Sequence, residues 1–452
     1  MHTNFSEAQL QDPTLARAEA MLKACVHCGF CIATCPTYVL LGDERDSPRG
    51  RLYLMKEMFE RGEVTRPVTR HIDRCLSCLS CMTTCPSGVD YMHLVDLARA
   101  RIEQAGHRPA GARATRWLLR KVLPYPRRFR AMLWLAWLTR PLHGLLAKLN
   151  FAPAKAALAL VPARPPRLKL RKRKGVFKPE ILRIKRVALM LGCVQEVLQP
   201  SINRAAIRLL RRHGVEVVLV KDEACCGALT HHLGQEEEAR VFARRNVDAW
   251  TAAMREGRID AVLITASGCG TMVKDYGHLL ARDRGYADRA RQISSIARDV
   301  TEFIEEIGLA TPLMWTSLRV AYHSACSLQH GQRVEAEPRE LLSQAGFTVV
   351  EIPEGHICCG SAGTYNILEP EIAGQLRERK LGHIASVEPD VIATGNIGCM
   401  TQLRGGAGVP VVHTVELLDW ATGGPCPKGL ETLKAKVHPI QTLIEMAALE
   451  TA

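Results

Sequence analysis

From Asp12 to Cys25 apolar and polar positions follow a helical period, and the pattern halts at a cluster of cysteines. Ser47-Pro48 then reads as an N-cap with proline at the first helical position, opening a helix that runs to about Arg61, beside Gly62. Beyond a second cysteine cluster that begins at Cys75, an amphipathic segment from about Val89 to Gln104 ends before Gly106. Residues 1–106 therefore read as an all-α domain. From 107 to 160 basic residues alternate with Trp117, Trp134, Trp137 and many leucines, and Pro124, Pro126, Pro141 and Pro153 cut the segment into short helices.

After Arg186 the period changes. An apolar strand at Val187–Gly192, a helix at about Ser201–Arg212 and a strand at Val215–Val220 lead to Cys225-Cys226-Gly227. A helix and the strand Ala261–Ala266 follow, running into Ser267-Gly268-Cys269. The same order recurs from Arg319: strand into Cys326, helix at about Pro338–Gln344, strand Phe347–Ile352, Cys358-Cys359-Gly360, helix, and strand Val391–Thr394 into Cys399. Cys193 to Cys225 spans 32 positions, as does Cys326 to Cys358. The offset between copies is 133 at Cys193/Cys326, Cys225/Cys358 and Cys226/Cys359, and 130 at Cys269/Cys399. Strand and helix in alternation predict parallel sheets with crossover helices, whose ligands gather beyond the carboxyl ends of the strands. Cys193, Cys269, Cys326 and Cys399 all fall there. The chain thus reads as an α+β multidomain protein: 1–106 α-helical, 107–186 a basic helical region and linker, 187–318 a first α/β repeat and 319–452 a second.

Composition adds two constraints. Hydrophobic residues make up 47% and charged residues 23% of the 452, the balance of a chain that buries cores. Lysine and arginine exceed aspartate and glutamate by 60 to 46, and much of the surplus lies between Arg99 and Arg186. The stretch Arg164–Arg186 holds eleven basic residues and one acid, Glu180. Such a run is a solvated linker, or it meets an acidic partner surface or anionic lipid. The apolar run Ala131–Thr139 is far short of the roughly 20 residues a bilayer crossing needs, so no transmembrane helix is expected. The short helices around it either pack on neighbouring domains or lie on an anionic membrane surface. A 5% aromatic content and no recognition motif argue against a nucleic-acid partner, although the basic run and the cysteine clusters raise that alternative.

Seventeen cysteines would suggest disulfides in a short secreted chain. Here the chain is long and its start, MHTNFSEAQLQDP, shows no apolar signal core, so cytoplasmic metal-bound thiolates are the expectation. The spacing sharpens it: Cys25-x2-Cys28-x2-Cys31-x3-Cys35-Pro36 is repeated as Cys75-x2-Cys78-x2-Cys81-x3-Cys85-Pro86. Three thiolates two residues apart wrap three irons of a cubane, while the displaced fourth reaches the neighbouring cluster. That predicts one 4Fe-4S cluster on Cys25, Cys28, Cys31 and Cys85 and another on Cys75, Cys78, Cys81 and Cys35. Structural zinc typically uses two CxxC pairs across a loop rather than a run ending in Cys-Pro. With 39 residues between Cys35 and Cys75, enough for a helix, a helical ferredoxin-type domain fits better than a compact β-rich one.

The C-terminal cysteines are less decisive, since adjacent cysteines before glycine also serve as small packing residues. Two copies in register argue for a site: Cys193, Cys225, Cys226 and Cys269 in one, Cys326, Cys358, Cys359 and Cys399 in the other, each a four-thiolate set suited to an additional cluster or to zinc. Nearby, His231 and His232 in the first copy and His323, His330 and His356 in the second are ligands, proton carriers or ordinary hydrogen-bonded residues. No complete GxGxxG or P-loop signature accompanies the strands, so substrate oxidation is expected elsewhere and no catalytic residue is assigned.

With both CxxCxxCxxxCP motifs ahead of two CCG repeats, the chain resembles the iron-sulfur subunit of bacterial glycolate oxidase over nearly its full length. The segment CVHCGFCIATCPTYVLLGDERDSPRGRLYLMK, TASGCG at Cys269, CCGSAGTY at Cys358 and NIGC at Cys399 carry the resemblance. It implies an electron-transfer subunit of a 2-hydroxy-acid oxidoreductase, not catalytic alone. FAD-binding partner subunits would oxidise glycolate to glyoxylate, and the electrons would pass on to a membrane quinone or another acceptor. The implied location is cytoplasmic, with peripheral attachment to the inner face of the cell membrane as an option. Lactate-utilisation and anaerobic glycerol-3-phosphate dehydrogenase subunits share the general plan. The CCG repeats also resemble those of heterodisulfide reductase, where the pattern ends in CxxC; here Met272 and Gln402 replace that last cysteine.

Overall fold

The N-terminal helices begin and end where local chemistry directs. In the computed structural model, which describes residues 1–142, 152–162 and 175–439, Asp12 caps Pro13–Lys23 by accepting the Thr14 N–H at 2.8 Å. Ser47 caps Pro48–Arg61 by accepting the Gly50 N–H at 2.9 Å, and Gly62 ends that helix in the left-handed region. Helices Arg66–Asp73 and Tyr91–Ala105 complete the bundle, whose core holds Leu22, Met55, Ile72, Leu94 and Ile102. Each side chain so buried contributes roughly 1.5–3 kcal/mol. Part of the basic stretch, 164–174, and the segment 440–452 lie outside the described residues.

Two sheets follow. The first orders its strands β1 (Gly175–Phe177), β3 (Val215–Leu219), β2 (Lys185–Met190), β4 (Ala261–Ile264) and β5 (Ala297–Asp299), all neighbours parallel except β1 against β3. After β6 (Met314–Thr316), the second sheet comprises β7 (Arg319–Tyr322), β8 (Thr348–Val350), β9 (Val391–Thr394) and β10 (Val411–His413). It is wholly parallel in the order β8-β7-β9-β10, the same as β3-β2-β4-β5. The duplication read from cysteine spacing is thus a duplication of topology. A short antiparallel pair of β6 with β11 (Val437–Pro439) flanks it. Val187–Met190 and Ala261–Ile264 are buried on both faces, which is why they read as unbroken apolar runs.

Several strands stop sooner than the apolar runs suggest. β2 ends at Met190 because the next N–H, of Leu191, turns to the Glu223 carboxylate at 3.1 Å, and Gly192 takes a positive φ. Cys269 and Cys399 sit in the first turns of helices Ser267–Lys274 and Ile397–Arg404, just past the strand ends.

The repeats interlock reciprocally. The helix Ser201–Arg212, which follows the first crossover strand, packs on Thr414–Ala421, the last helix of the other repeat; Glu337–Gln344 packs likewise on Val300–Ile307. At the first of these contacts the buried Asp419 carboxylate receives Arg208 and Arg212. The helical domain seats across both repeats. It meets the second through Leu76, packed with Ile357, Cys358 and Tyr365, and the first through Asp96, paired with His231 at 3.3 Å and His232 at 3.1 Å. Between them, helices Ala110–Val122 and Pro126–Leu138 lay Phe129 and Leu133 on Val197, while Trp117, Leu118, Leu135 and Leu138 face outward.

Candidate metal centres

The two CxxCxxC loops are built alike. Each puts residues in the left-handed region two and four positions after its first cysteine: His27 and Gly29 in one, Ser77 and Leu79 in the other. A leucine there costs about 1–3 kcal/mol, so the surroundings over-determine this path. Short helices Phe30–Ala33 and Ser80–Thr83 then turn Cys31 and Cys81 inward, and Cys35 precedes the helix Pro36–Leu41 with proline at its first position.

The structure brings thiols of the two motifs together. Cys25, Cys28, Cys31 and Cys85 line one cavity, which Cys81 also borders. Burial, then Cys25 and Cys85, push the Cys31 thiol up to about 11. Cys78 is pushed well up by burial and then by Cys326 and Cys35, and Cys81 by burial and then by Cys78, Cys75 and Cys35. Crowded thiols that oppose one another's ionisation, none in a disulfide, are a donor set that a soft cation would relieve. The residues present fit iron-sulfur clusters.

Around the second set lies a buried polar frame that the motif spacing does not announce. Arg51, fully buried, directs Nη1 toward the Cys35 thiol at 3.8 Å, Nη2 to Thr37 Oγ1 at 3.0 Å and Nε to the His71 carbonyl at 2.7 Å. Asp46, buried, accepts from Arg74 at 2.8 Å and His71 at 2.9 Å. Burial opposes the Arg51 charge, yet Cys75, Tyr91, Cys35 and Asp46 hold it above its usual range. The Tyr91 hydroxyl points at the Cys75 thiol at 3.7 Å, and Arg99 donates to the Cys75 carbonyl at 2.6 Å. Arg51 lies in the first turn of Pro48–Arg61, where a charged side chain in sequence gives no sign of burial.

In the duplicated half, the glycine of each CCG has a reason. Gly227 and Gly360 have φ of 89° and 87°, and a Cβ would stand 3.1 Å from the Ala239 carbonyl and 2.6 Å from that of Ala373. Backbone and helix approach too closely for a side chain. Cys193 and Cys225 lie 3.4 Å apart, with Cys226 and Cys269 beside them, in or against a buried apolar cluster that includes Met190, Phe242, Trp250 and Tyr276. In the second repeat a hydrogen bond with Cys358 and then burial push the Cys326 thiol well up, and Cys359 adjoins Cys399. Each predicted four-cysteine set is thereby brought together. Cys326 and Cys358 also neighbour Cys78.

The histidines divide. His231 and His232 are engaged by Asp96, and His330 pairs Nδ1 with the Thr83 hydroxyl at 2.9 Å. His356 is half-exposed, its carbonyl 3.4 Å from His330 Nε2. His323 stands apart: a ring nitrogen of it and the sulfurs of Cys359 and Cys399 lie within 4.8 Å of one another, and its buried Nε2 has no hydrogen-bond partner. Burial, with the Lys380 ammonium, pushes this imidazole down to about 3. Lys380 is itself buried, with Nζ on the Glu354 carbonyl at 2.7 Å.

These features define a ferredoxin-type helical domain joined to a duplicated cysteine-rich α/β domain. Family models agree: a 4Fe-4S dicluster domain matches residues 24–89, and a cysteine-rich CCG domain matches 187–274 and 320–404. The chain belongs to the glycolate oxidase iron-sulfur subunit family. It is 43% identical to the Escherichia coli glycolate oxidase iron-sulfur subunit over 93% of this chain and 99% of that protein. It is 32% identical to the probable glycolate oxidase iron-sulfur subunit of Bacillus subtilis over 94% and 99%. A hypothetical protein from Helicobacter pylori of known crystal structure shares the fold at a TM-score of 0.51 and 9% identity, covering 94% of this chain and 80% of that one.

Proposed function

We propose that the chain conducts electrons within a glycolate oxidase complex, from FAD-binding partner subunits that oxidise glycolate to glyoxylate toward a membrane quinone or an equivalent acceptor. Cys25, Cys28, Cys31 and Cys85 would hold one 4Fe-4S cluster, and Cys75, Cys78, Cys81 and Cys35 a second; the four cysteines of each CCG repeat are the candidate ligands of further metal. Iron-sulfur clusters supply one-electron exchange when bound. The observation that carries this reading is adjacency: the Cys78 thiol neighbours Cys326 and Cys358, so the thiol sets run unbroken from the exposed Cys28 to the second repeat. Exposed Val26 and Phe30 flank Cys28 and offer a partner an apolar contact at one end. Arg51 and Tyr91 aim donors at Cys35 and Cys75, and hydrogen bonds to cluster sulfurs tune the potential.

We divide the chain functionally at 1–106, 107–186, 187–318 and 319–452. No helix of the described residues is long and apolar enough to cross a membrane. The outward Trp117, Leu118, Leu135 and Leu138, on helices that also carry Arg113, Arg120, Arg127 and Arg128, support a peripheral seat on anionic lipid.

Anaerobic purification with quantitation of iron, acid-labile sulfide and flavin tests the reading. The chain is expected to bind about eight irons at the N-terminal motifs, four per cubane. It should hold no flavin and be reduced by glycolate only with its partners. Zinc there without labile sulfide, or glycolate turnover by this chain alone, would refute it.

A further inference from the structure

Each repeat brings four thiols together, and the positions three residues after the last of them, Met272 and Gln402, add no further thiol. Gln402 does not stand in: its amide donates to the Ala373 carbonyl at 3.0 Å, and its oxygen accepts from Asn366 at 3.1 Å. A further candidate donor stands just past the end of β7, which closes at Tyr322. His323 lies three residues before Cys326, where the first repeat has Met190 three residues before Cys193. Its side chain is 1% exposed, and the unpartnered Nε2 is a buried polar atom that a folded chain rarely leaves unsatisfied.

We propose that His323 is a ligand, through Nε2, of a metal centre held by the cysteines of the second CCG repeat, and that the first repeat has no equivalent nitrogen-ligated centre. A ring nitrogen and the sulfurs of Cys359 and Cys399 already lie within 4.8 Å of one another, close enough to share one metal site. Charge points the same way. Ala239 and Ala373 occupy matching places against the CCG glycines, and seven residues beyond them stand Asn246 and Lys380. Asn246 is neutral and bonds the Cys225 carbonyl at 3.0 Å. Lys380 brings a buried cation beside Cys326, Cys358 and Cys359, where a thiolate-bound metal would carry the compensating negative charge. An imidazole ligand raises the potential of an iron-sulfur centre above that of all-thiolate ligation, as suits the last centre before the acceptor.

The inference rests on the electron-transfer reading for its iron, and the test separates the two. The full chain is prepared anaerobically with ¹⁵N-histidine, alongside His323→Met, which installs the first repeat's side chain, and His323→Cys, which restores a thiolate. Pulsed EPR of wild type should show strong ¹⁵N coupling on a centre distinct from the two ferredoxin clusters. Both variants should lose that coupling, and His323→Cys should keep the centre at a lower potential. Coupling that survives in the variants overturns the assignment while leaving the electron-transfer reading intact. Zinc at the site would overturn its redox role; zinc-edge absorption must then show one nitrogen that disappears in His323→Met, or the assignment falls. A second repeat with no metal at all overturns it outright.

Discussion

The two CCG repeats share strand order, cysteine register and a left-handed glycine pressed against a helix, yet they line their thiols differently. The first keeps Cys193, Cys225, Cys226 and Cys269 in or against one apolar cluster with Met190, Phe242, Trp250 and Tyr276, and secures the cysteine loop with Asn246 and the Tyr276 hydroxyl, which donates to the Cys226 carbonyl at 2.8 Å. The second replaces methionine by His323 and asparagine by Lys380, and opens against Cys78 of the ferredoxin-type domain. A motif therefore fixes where thiols converge, whereas the neighbouring side chains decide what they can hold. Four cysteines in an apolar wall suit packing or a closed structural site; four beside a buried cation, an unpartnered imidazole and another thiol set suit redox traffic.

The strongest way to break this comparison is to remove matching cysteines. Cys358→Ser should lose iron beyond that of the N-terminal motifs and slow electron delivery from the partners by tenfold or more, about 1.4 kcal/mol or more of barrier. Cys225→Ser should leave delivery within about twofold, inside roughly 0.4 kcal/mol. Iron content and rapid-mixing reduction of the acceptor measure both. Equal losses would mean that the repeats are functionally equivalent.

Much of this asymmetry was beyond reach of the sequence, and the reasons are physical. Cysteine spacing is a local code, so both ferredoxin motifs and the 32-residue register were legible, together with the order of strands and helices. The capped helix from Ser47 to Gly62 was legible too, because its signals lie within its own ends. Arg51 was not: its burial arises from Asp46, Thr37 and the His71 carbonyl converging from separate elements. His323 could be noticed but not singled out among five histidines, since partners such as Asp96 and Thr83 come from a different domain. Lys380 on a crossover helix looks like any solvated lysine until the fold packs it against thiols.

A mid-sized effect sharpens the comparison at the glycines. Alanine at either Gly227 or Gly360 must adopt a left-handed backbone, costing about 1–3 kcal/mol. At Gly360 the new Cβ would lie 2.6 Å from a carbonyl oxygen, against 3.1 Å at Gly227, so Gly360→Ala should destabilise more. Denaturant unfolding followed by tryptophan fluorescence and hydrogen exchange ranks them; the reverse order would show that the second repeat yields more easily at this contact.

The smallest effect concerns how the helical domain grips the two repeats. On the first repeat the seam is ionic: His93 lies between Asp90 at 2.6 Å and Asp275 at 3.0 Å and stacks on His278 with ring centres 3.5 Å apart. Burial disfavours the His93 charge, but the hydrogen bonds its ring donates to Asp275 and Asp90 raise its pKa from 6.5 to about 9. Its contribution is therefore complete below pH 6.5 and lost as pH rises through about 9. Burial lowers His278 from 6.5 to about 4, so its contribution is complete above pH 6.5 and lost as pH falls through about 4. Together they place the strongest grip near pH 6.5. On the second repeat Leu76, Ile357 and Tyr365 form an apolar seam that does not titrate in the alkaline direction over this range. Raising pH from 6.5 to about 9 should reduce hydrogen-exchange protection, corrected for intrinsic rate, in Tyr91–Ala105 and Tyr276–Leu279 while sparing Tyr365–Leu368. His93→Gln should abolish the difference. A uniform loss across both seams would mean that the domain leaves the repeats as one body, and the ionic contact sets no separate threshold.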